Sequence, residues 1–187
     1  MGELKKKASG KTYVYYRCTG MRGRCEQGYV RQEVLDQAFE EVVKAVFEHV
    51  KNNPRKSLGV ATFSQAQQQK IMDLITQARQ RDPSREHFFN DPDGEKFFVK
   101  NLENVQGDER DVIFISIGYG KDLEGKLSMN FGPLNKVGGE RRLNVLVSRA
   151  RERIVVFSSL RGSDIDLSKT QAQGAVLLKH YLDFAER

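Results

Sequence analysis

Val105-Gln106-Gly107-Asp108-Glu109-Arg110-Asp111-Val112-Ile113-Phe114-Ile115-Ser116 and, about thirty residues further on, Gly138-Gly139-Glu140-Arg141-Arg142-Leu143-Asn144-Val145-Leu146-Val147-Ser148-Arg149-Ala150-Arg151 decide how this chain folds. In the first stretch a polar turn holding Gly107 runs into an unbroken apolar segment, Val112 to Ile117, the pattern of a strand buried on both faces. In the second, helical spacing sets Leu143, Leu146, Val147 and Ala150 on one apolar stripe, with Arg142 and Arg149, seven apart, at its margin. A helix patterned in this way packs on a sheet and presents its arginines sideways, with Arg151, half a helical turn past Arg149, expected to face solvent. Gly107 permits close approach of backbone to a ligand, and Glu109 offers an acceptor for hydroxyls.

Working outward, Ser57 to Phe63 is a short apolar strand, and Ser64 with Gln67 forms a capping-box signature for a helix from Gln65 to about Arg79. Arg81 to Gly94, with Pro83, Pro92 and Gly94, reads as an excursion with at most a short helix at Glu86 to Phe89. Phe97 to Lys100 and Arg153 to Phe157 read as further strands. Strands without clean alternation, interleaved with helices, imply an α/β fold built on a mostly parallel sheet covered on both faces. Upstream, Val34, Leu35, Ala38, Val42, Val43, Val46, Phe47 and Val50 mark an amphipathic helix that Asn52, Asn53 and Pro54 end. Lys11 to Cys18 is of strand type. The expected division is a basic hairpin over 1–30, a connecting helix over 31–53 and the main domain over 54–187. The loop from Tyr119 to Val137 is long enough to be functional or disordered.

The net charge of +6 is unevenly spread: residues 1 to 28 hold seven Lys or Arg against two Glu, a surplus of five. Nucleic-acid contact is therefore expected of the amino-terminal appendage, through Lys5, Lys6, Lys7, Arg22 and Arg24, more than of the main domain. The bland reading is a solvated basic tail. No apolar run approaches eighteen residues and the amino terminus lacks a signal-like stretch, so no membrane partner is expected and a cytoplasmic location is. Two cysteines, Cys18 and Cys25, are too few for a disulfide framework and read as thiols or metal ligands.

The order and spacing of the two opening stretches resemble motifs V and VI of superfamily 1 helicases, and Gly59 to Gln67 resembles their motif IV. The resemblance covers about residues 40 to 187 and implies a RecA-like second motor domain, a three-layer fold of the P-loop NTPase type. It assigns Arg149 to the arginine finger that reaches a γ-phosphate held by a partner domain, a role suited to a planar, permanently charged fork. It places Glu109 and, with it, Gln106 and Gly107 at the nucleotide, with Arg142 and Gln67 beside them. Thr62, at the end of the motif IV strand, is a candidate for a nucleic-acid phosphate. Gln67 reads equally as a capping residue, and Gln68 stands where many relatives carry a second phosphate-binding arginine. Met129 to Asn135 and the closing Tyr181 to Arg187 are similar to segments of large bacterial members in which the helicase halves precede a nuclease-like domain.

A Gly-x-x-x-x-Gly-Lys-Ser/Thr phosphate loop is not found in the 187 residues, nor a strand ending in the paired acids that hold magnesium. The expectation is that ATP and magnesium are bound only with a phosphate-loop-bearing first motor domain, in cis or in trans, and that single-stranded nucleic acid, DNA before RNA, is the track. Residues 1–40 are similar to the back half of the zinc ribbon of large serine recombinases, in Lys11 to Gly20, Arg22 to Cys25 and Tyr29 to Leu35. Cys18 and Cys25 supply two of the four ligands that a zinc site needs, so zinc is not expected. The alternative function is a non-enzymatic DNA-binding module in which the ribbon-like hairpin does the work.

Overall fold

The computed structural model describes residues 2–6, 12–16, 30–91, 94–122 and 124–187, with side chains from residue 36 onward. Strands β1 (Gly2–Lys6), β2 (Thr12–Tyr16) and β3 (Val30–Arg31) form an antiparallel sheet in that order, with Gly2 opposite Tyr16 and Tyr16 opposite Val30. Lys7, Cys18, Arg22, Cys25 and Arg24 lie outside the described residues, as do the side chains of Lys5 and Lys6. The basic-appendage and zinc expectations therefore rest on sequence.

Helix α1 (Gln32–Asn52) follows directly, and its Phe39, Val42, Val46 and Val50 are buried at three- and four-residue intervals. It is a connecting helix in sequence and a core helix in space. Its apolar face closes a cluster with Leu58, Val60, Ile71, Ile75, Val99, Val112 and Phe114.

The main sheet contains β4 (Leu58–Thr62), β5 (Phe98–Asn101), β6 (Arg110–Ile117) and β7 (Ala150–Ser158) in the order β5-β4-β6-β7, all parallel. Alternation along β6 sends Val112 and Phe114 to one face, under α1 and α2 (Gln65–Arg81). It sends Ile113, Ile115 and Ile117 to the other, under α4 (Gly139–Val147) and α5 (Gln173–Ala185). Fully burying one such side chain contributes about 1.5–3 kcal/mol, so the central strand ties both layers together. This is the three-layer α/β arrangement of a RecA-like domain. A short helix, α3 (Glu86–Phe89), sits in the excursion before β5, where the sequence places it.

Two expectations are corrected. α4 ends at Val147, so Arg149 and Ala150 lie beyond it: the Arg149 amide donates to the Leu146 carbonyl at 3.1 Å and Ala150 opens β7. The sheet has claimed the backbone, because the Arg149 carbonyl already accepts the Arg110 amide at 3.1 Å. Arg151, which helical counting turns toward solvent, is instead on β7 within an ion-pair network.

β5 and β6 flank β4 although consecutive in sequence, and the eight residues 102–109 that join them contain no helix. Parallel strands usually need a longer, helical crossover. Here the link crosses the α4/α5 face directly, pinned by the buried Leu102 and the fully buried Val105. Its descent ends in Gly107 at φ 85°, a left-handed conformation that favours glycine. Glu109 is thereby delivered to the edge of the sheet where β6 begins.

Candidate functional site

At that amino edge the two motifs meet. Glu109 lies immediately before β6, and Arg149 immediately before β7. The backbone bond from the Arg110 amide to the Arg149 carbonyl brings their side chains together, with Arg149 Nη1 3.6 Å from Glu109 Oε1. Arg149 Nε donates to the Val145 carbonyl at 2.8 Å and Nη2 to Ser148 Oγ at 3.0 Å. The Arg149 side chain is 19% exposed and that of Glu109 is 54% exposed. Of the five N–H donors of an arginine, two are engaged in hydrogen bonds and three, those beside Glu109 among them, remain for an incoming acceptor. The arrangement is a pre-oriented cation with a carboxylate beside it, open to whatever docks on this edge.

The remaining candidates are distributed as follows. Gln106 and Gly107 are exposed on the loop leading to Glu109. Arg142 lies toward the start of α4, where its Nη1 donates to the Val137 carbonyl at 3.2 Å, and the helix separates it from Arg149. Gln67 is 4% exposed: its Oε1 accepts the Phe63 amide at 3.1 Å, and its Nε2 donates to the carbonyl and hydroxyl of Ser116 at 3.0 and 2.8 Å. It clamps the ends of β4 and β6 together, and Gly118 leaves it room, since a Cβ there would stand 2.6 Å from Gln67 Cδ. Gln68 bonds the Val99 carbonyl and the Asn101 amide, toward the carboxyl end of β5 and away from Glu109 and Arg149. Thr62 is fully buried and donates its hydroxyl to the Ser64 carbonyl at 3.1 Å, so it holds its own turn.

The carboxyl edge of the sheet carries a crevice of about 420 Å³ between the β4–α2 turn, the end of β5 and the long loop. Phe63, Asn101, Tyr119, Asn135 and Lys136 line it. Carboxyl ends of parallel strands are the usual ligand side of open α/β sheets. Tyr119 stacks edge-on against Phe63 and Phe131, and burial raises its phenol far above the ordinary range.

Gly120 to Lys126 repeats the glycine and lysine spacing of a phosphate loop, with Leu127 where the magnesium-binding hydroxyl belongs. Three of its amides are already engaged, because Asp122 Oδ1 accepts those of Glu124 and Lys126, both at 2.9 Å, and the Asp122 carbonyl that of Gly125 at 3.0 Å, and among the described residues no α-helix follows before Gly139. Among the described residues no group of His, Cys, Asp and Glu is placed to hold a metal ion, and no helix is long and apolar enough to cross a membrane.

The sequence reading overlooked a network beside the pair. Arg151 Nε donates to Asp111 Oδ1 at 3.0 Å and Nη1 to Glu95 Oε1 at 2.9 Å, while Nη2 reaches Ser57 Oγ at 3.1 Å. The Arg151 and Ser57 hydrogen bonds hold the Glu95 carboxyl down at about 2, against burial. Burial pushes the Asp111 carboxyl up, but the Ser57 amide and hydroxyl and Arg151 outweigh it and the net shift is downward. A signal was present: Asp111 follows Glu109, and Arg151 follows Arg149, by the same two residues.

An ATP-dependent helicase of Mycoplasma genitalium is 41% identical over 139 residues, 72% of this chain and 12% of its own length. Its homologue in Mycoplasma pneumoniae is 40% identical over 136 residues, 71% of this chain and 12% of its own length. The chain thus spans about an eighth of these curated relatives. Among solved structures, the plantazolicin methyltransferase BpumL overlaps 82% of this chain and 60% of its own length at 14% identity, with a TM-score of 0.33, too low to indicate a shared fold. The AAA domain family matches residues 4–161, most of the chain and both motif-bearing stretches, and the chain belongs to that family as a helicase-type motor-domain segment.

Proposed function

We propose that this chain is the carboxyl-terminal motor portion of an ATP-dependent superfamily 1 helicase. Its Arg149 is the arginine finger for a nucleotide held by a phosphate-loop domain, in cis or in trans. The observation that carries this reading is the meeting of Glu109 and Arg149, 3.6 Å apart at one edge of the sheet although 40 residues apart in sequence. A finger works by stabilising charge that develops on the transferred phosphoryl group, and one can be worth roughly 10³ to 10⁵ in rate. Bound ATP and magnesium would supply the phosphoryl group and its charge neutralisation. This chain's part is to hold Arg149 at the edge through Val145, Ser148 and the neighbouring Glu109 carboxylate, with three N–H donors left to meet phosphate oxygens. In this reading Gln106 and Gly107, on the loop before Glu109, would couple nucleotide to track. The track is single-stranded nucleic acid, DNA before RNA, passing the carboxyl-edge crevice.

The test is a motor completed with a phosphate-loop half from a close relative. Arg149→Ala should lower kcat at least 10³-fold while leaving ATP affinity and melting temperature nearly unchanged, since the interaction forms in the transition state. Arg141→Ala is the control, because that side chain is 88% exposed and lies only loosely, at 3.9 Å, against Glu140. Equal behaviour of the two variants would refute the finger.

The charge surplus in residues 1–28 favours a second reading, a DNA-binding module carried by the amino-terminal appendage. It separates from the first by whether a chain lacking residues 1–28 still binds single strands.

A further inference from the structure

We propose that Arg151 is the positioning residue for the Glu109–Arg149 pair, setting the register in which the two strands present it. The inference rests on the reading of that pair given above, and its argument starts from an irregularity in the sheet. β6 and β7 pair Arg110 with Ala150 but Val112 with Arg153, so a single residue, Asp111, faces both Arg151 and Glu152. Such a bulge leaves one residue outside the backbone ladder, and a slip by one position would turn the strand over. Backbone hydrogen bonds alone do not choose which residue bulges.

Side chains make the choice. Arg151 Nε and Nη2 stand 3.0 and 2.8 Å from Asp111 Oδ1, across the bulge itself. Asp111 is fixed in turn to the lead-in of β4, its Oδ2 accepting the Ser57 amide at 2.8 Å and its own amide donating to Ser57 Oγ at 3.0 Å. The Val112 amide adds a bond to the Ser57 carbonyl at 3.0 Å. On the outer side Arg151 grips both oxygens of Glu95, from the segment before β5. The next residue inward, Arg110, donates to the Lys96 carbonyl at 2.6 and 3.0 Å and lies over the Phe98 ring at 4.9 Å. The starts of four strands are thus laced along one edge, with Arg151 holding β7 in place.

The arrangement transmits position because Asp111 and Arg151 each follow a member of the pair by two residues. Moving Arg151 off Asp111 lets β7 slide against β6, and Glu109 and Arg149 part. An ordinary surface ion pair would contribute only to stability, and little of that, since Arg151 and Glu95 are each 42% exposed. The two roles predict different results.

The experiment has two arms. In the isolated chain, the Arg149 side-chain Nε–H is followed by NMR, together with hydrogen exchange of the Arg110 amide. Arg151→Gln and Asp111→Ala should each speed exchange at Arg110 and shift the Arg149 Nε–H signal toward that of a free arginine. Arg151→Lys, which keeps the charge but loses the fork, should recover part of the wild-type signal. Melting temperature should change little in either strand's variant, and Glu95→Gln, which trims only the outer grip, covers the case in which either fails to fold. In the completed motor, Arg151→Gln should lower kcat at least tenfold with KM for ATP unchanged. Unperturbed Arg149 and Arg110 signals in the folded variants would overturn the positioning role even if the finger stands. A completed motor in which Arg149→Ala has no effect would overturn the finger, leaving the NMR arm to judge the register on its own.

Discussion

Gln67 shows how one side chain can be read in two ways until its bonds are seen. Its place after a motif IV strand suits a nucleotide contact, and its place three residues after Ser64 suits a cap. In the fold Ser64 Oγ does accept the Gln67 amide at 3.2 Å, but the Gln67 side chain turns inward to Phe63 and Ser116. Gln67→Leu would leave the Phe63 amide without its partner in the core, at a cost of about 1–3 kcal/mol. Urea unfolding should show the loss as a lower midpoint with an unchanged slope. A stability equal to wild type would mean that the clamp is idle and the glutamine is held for a ligand. At the same scale, Glu95 sets an acid limit on the edge network. Its folded-state pKa of about 2 lies below the ordinary 4.5, so its contribution is complete above about pH 4.5 and fades as pH falls toward 2. In Glu95→Gln the drop in melting temperature between pH 5 and pH 3 should be smaller than in wild type.

At the scale of elements, α4 and α5 owe their close approach to two glycines. Added Cβ atoms at Gly139 and Gly174 would stand 2.1 and 2.2 Å from the same Leu134 carbonyl oxygen, a backbone atom that cannot turn aside. Both helix starts therefore sit on one turn, Gly132–Asn135, itself held by Asn135 bonding the Phe131 amide at 2.6 Å and the Met129 carbonyl at 2.8 Å. Gly139→Ala should push α4 off this seat at a cost of about 1–3 kcal/mol. The shift would also carry Arg149, which lies two residues beyond the far end of the helix and is tied to its Val145 carbonyl, so thermal melting and the Arg149 Nε–H signal should move together. A variant with wild-type melting would mean that the turn yields. Leu146→Ala, at a fully buried position, removes packing without moving the helix start and should cost about 2–5 kcal/mol.

For the whole molecule, the parts of a motor present here are unequal. The edge that holds Arg149 and Glu109 is built, whereas the one stretch with phosphate-loop spacing has the amides of Glu124, Gly125 and Lys126 bound by Asp122. The isolated chain should hydrolyse no ATP above background, with or without single-stranded DNA. Turnover comparable to that of ordinary motors, lost on substitution of a residue in this chain, would contradict the half-motor reading. DNA binding should be weak and steeply salt-dependent, and most of it should disappear with residues 1–28, because phosphate neutralisation dominates non-specific affinity. Undiminished binding by the truncated chain, measured by fluorescence anisotropy across salt concentrations, would place the groove in the main domain instead.

Local pattern was enough to read the elements. The apolar run at Val112 to Ile117, the stripe through Leu143, Leu146 and Val147, and the three- and four-residue rhythm of α1 each follow from a side-chain period that the backbone imposes, so strand, helix and parallel layering were legible before any contact was known. The resemblance of the two stretches to helicase motifs pointed to Glu109 and Arg149, and the fold brings these two side chains together. Tertiary structure decided the rest, for reasons that no local period contains. Helical counting carried α4 through Ala150, but the Arg149 carbonyl pairs with Arg110 from another strand, and that bond ends the helix at Val147. It turned Arg151 to solvent, whereas parallel pairing with β6 brings it against Asp111 and Glu95. It aligned Arg142 with Arg149, which the helix keeps apart. Periodicity records which way a residue faces along its own element. Which edge of the sheet that element meets is set by register between strands distant in sequence, and at this edge the register depends on side chains from four of them.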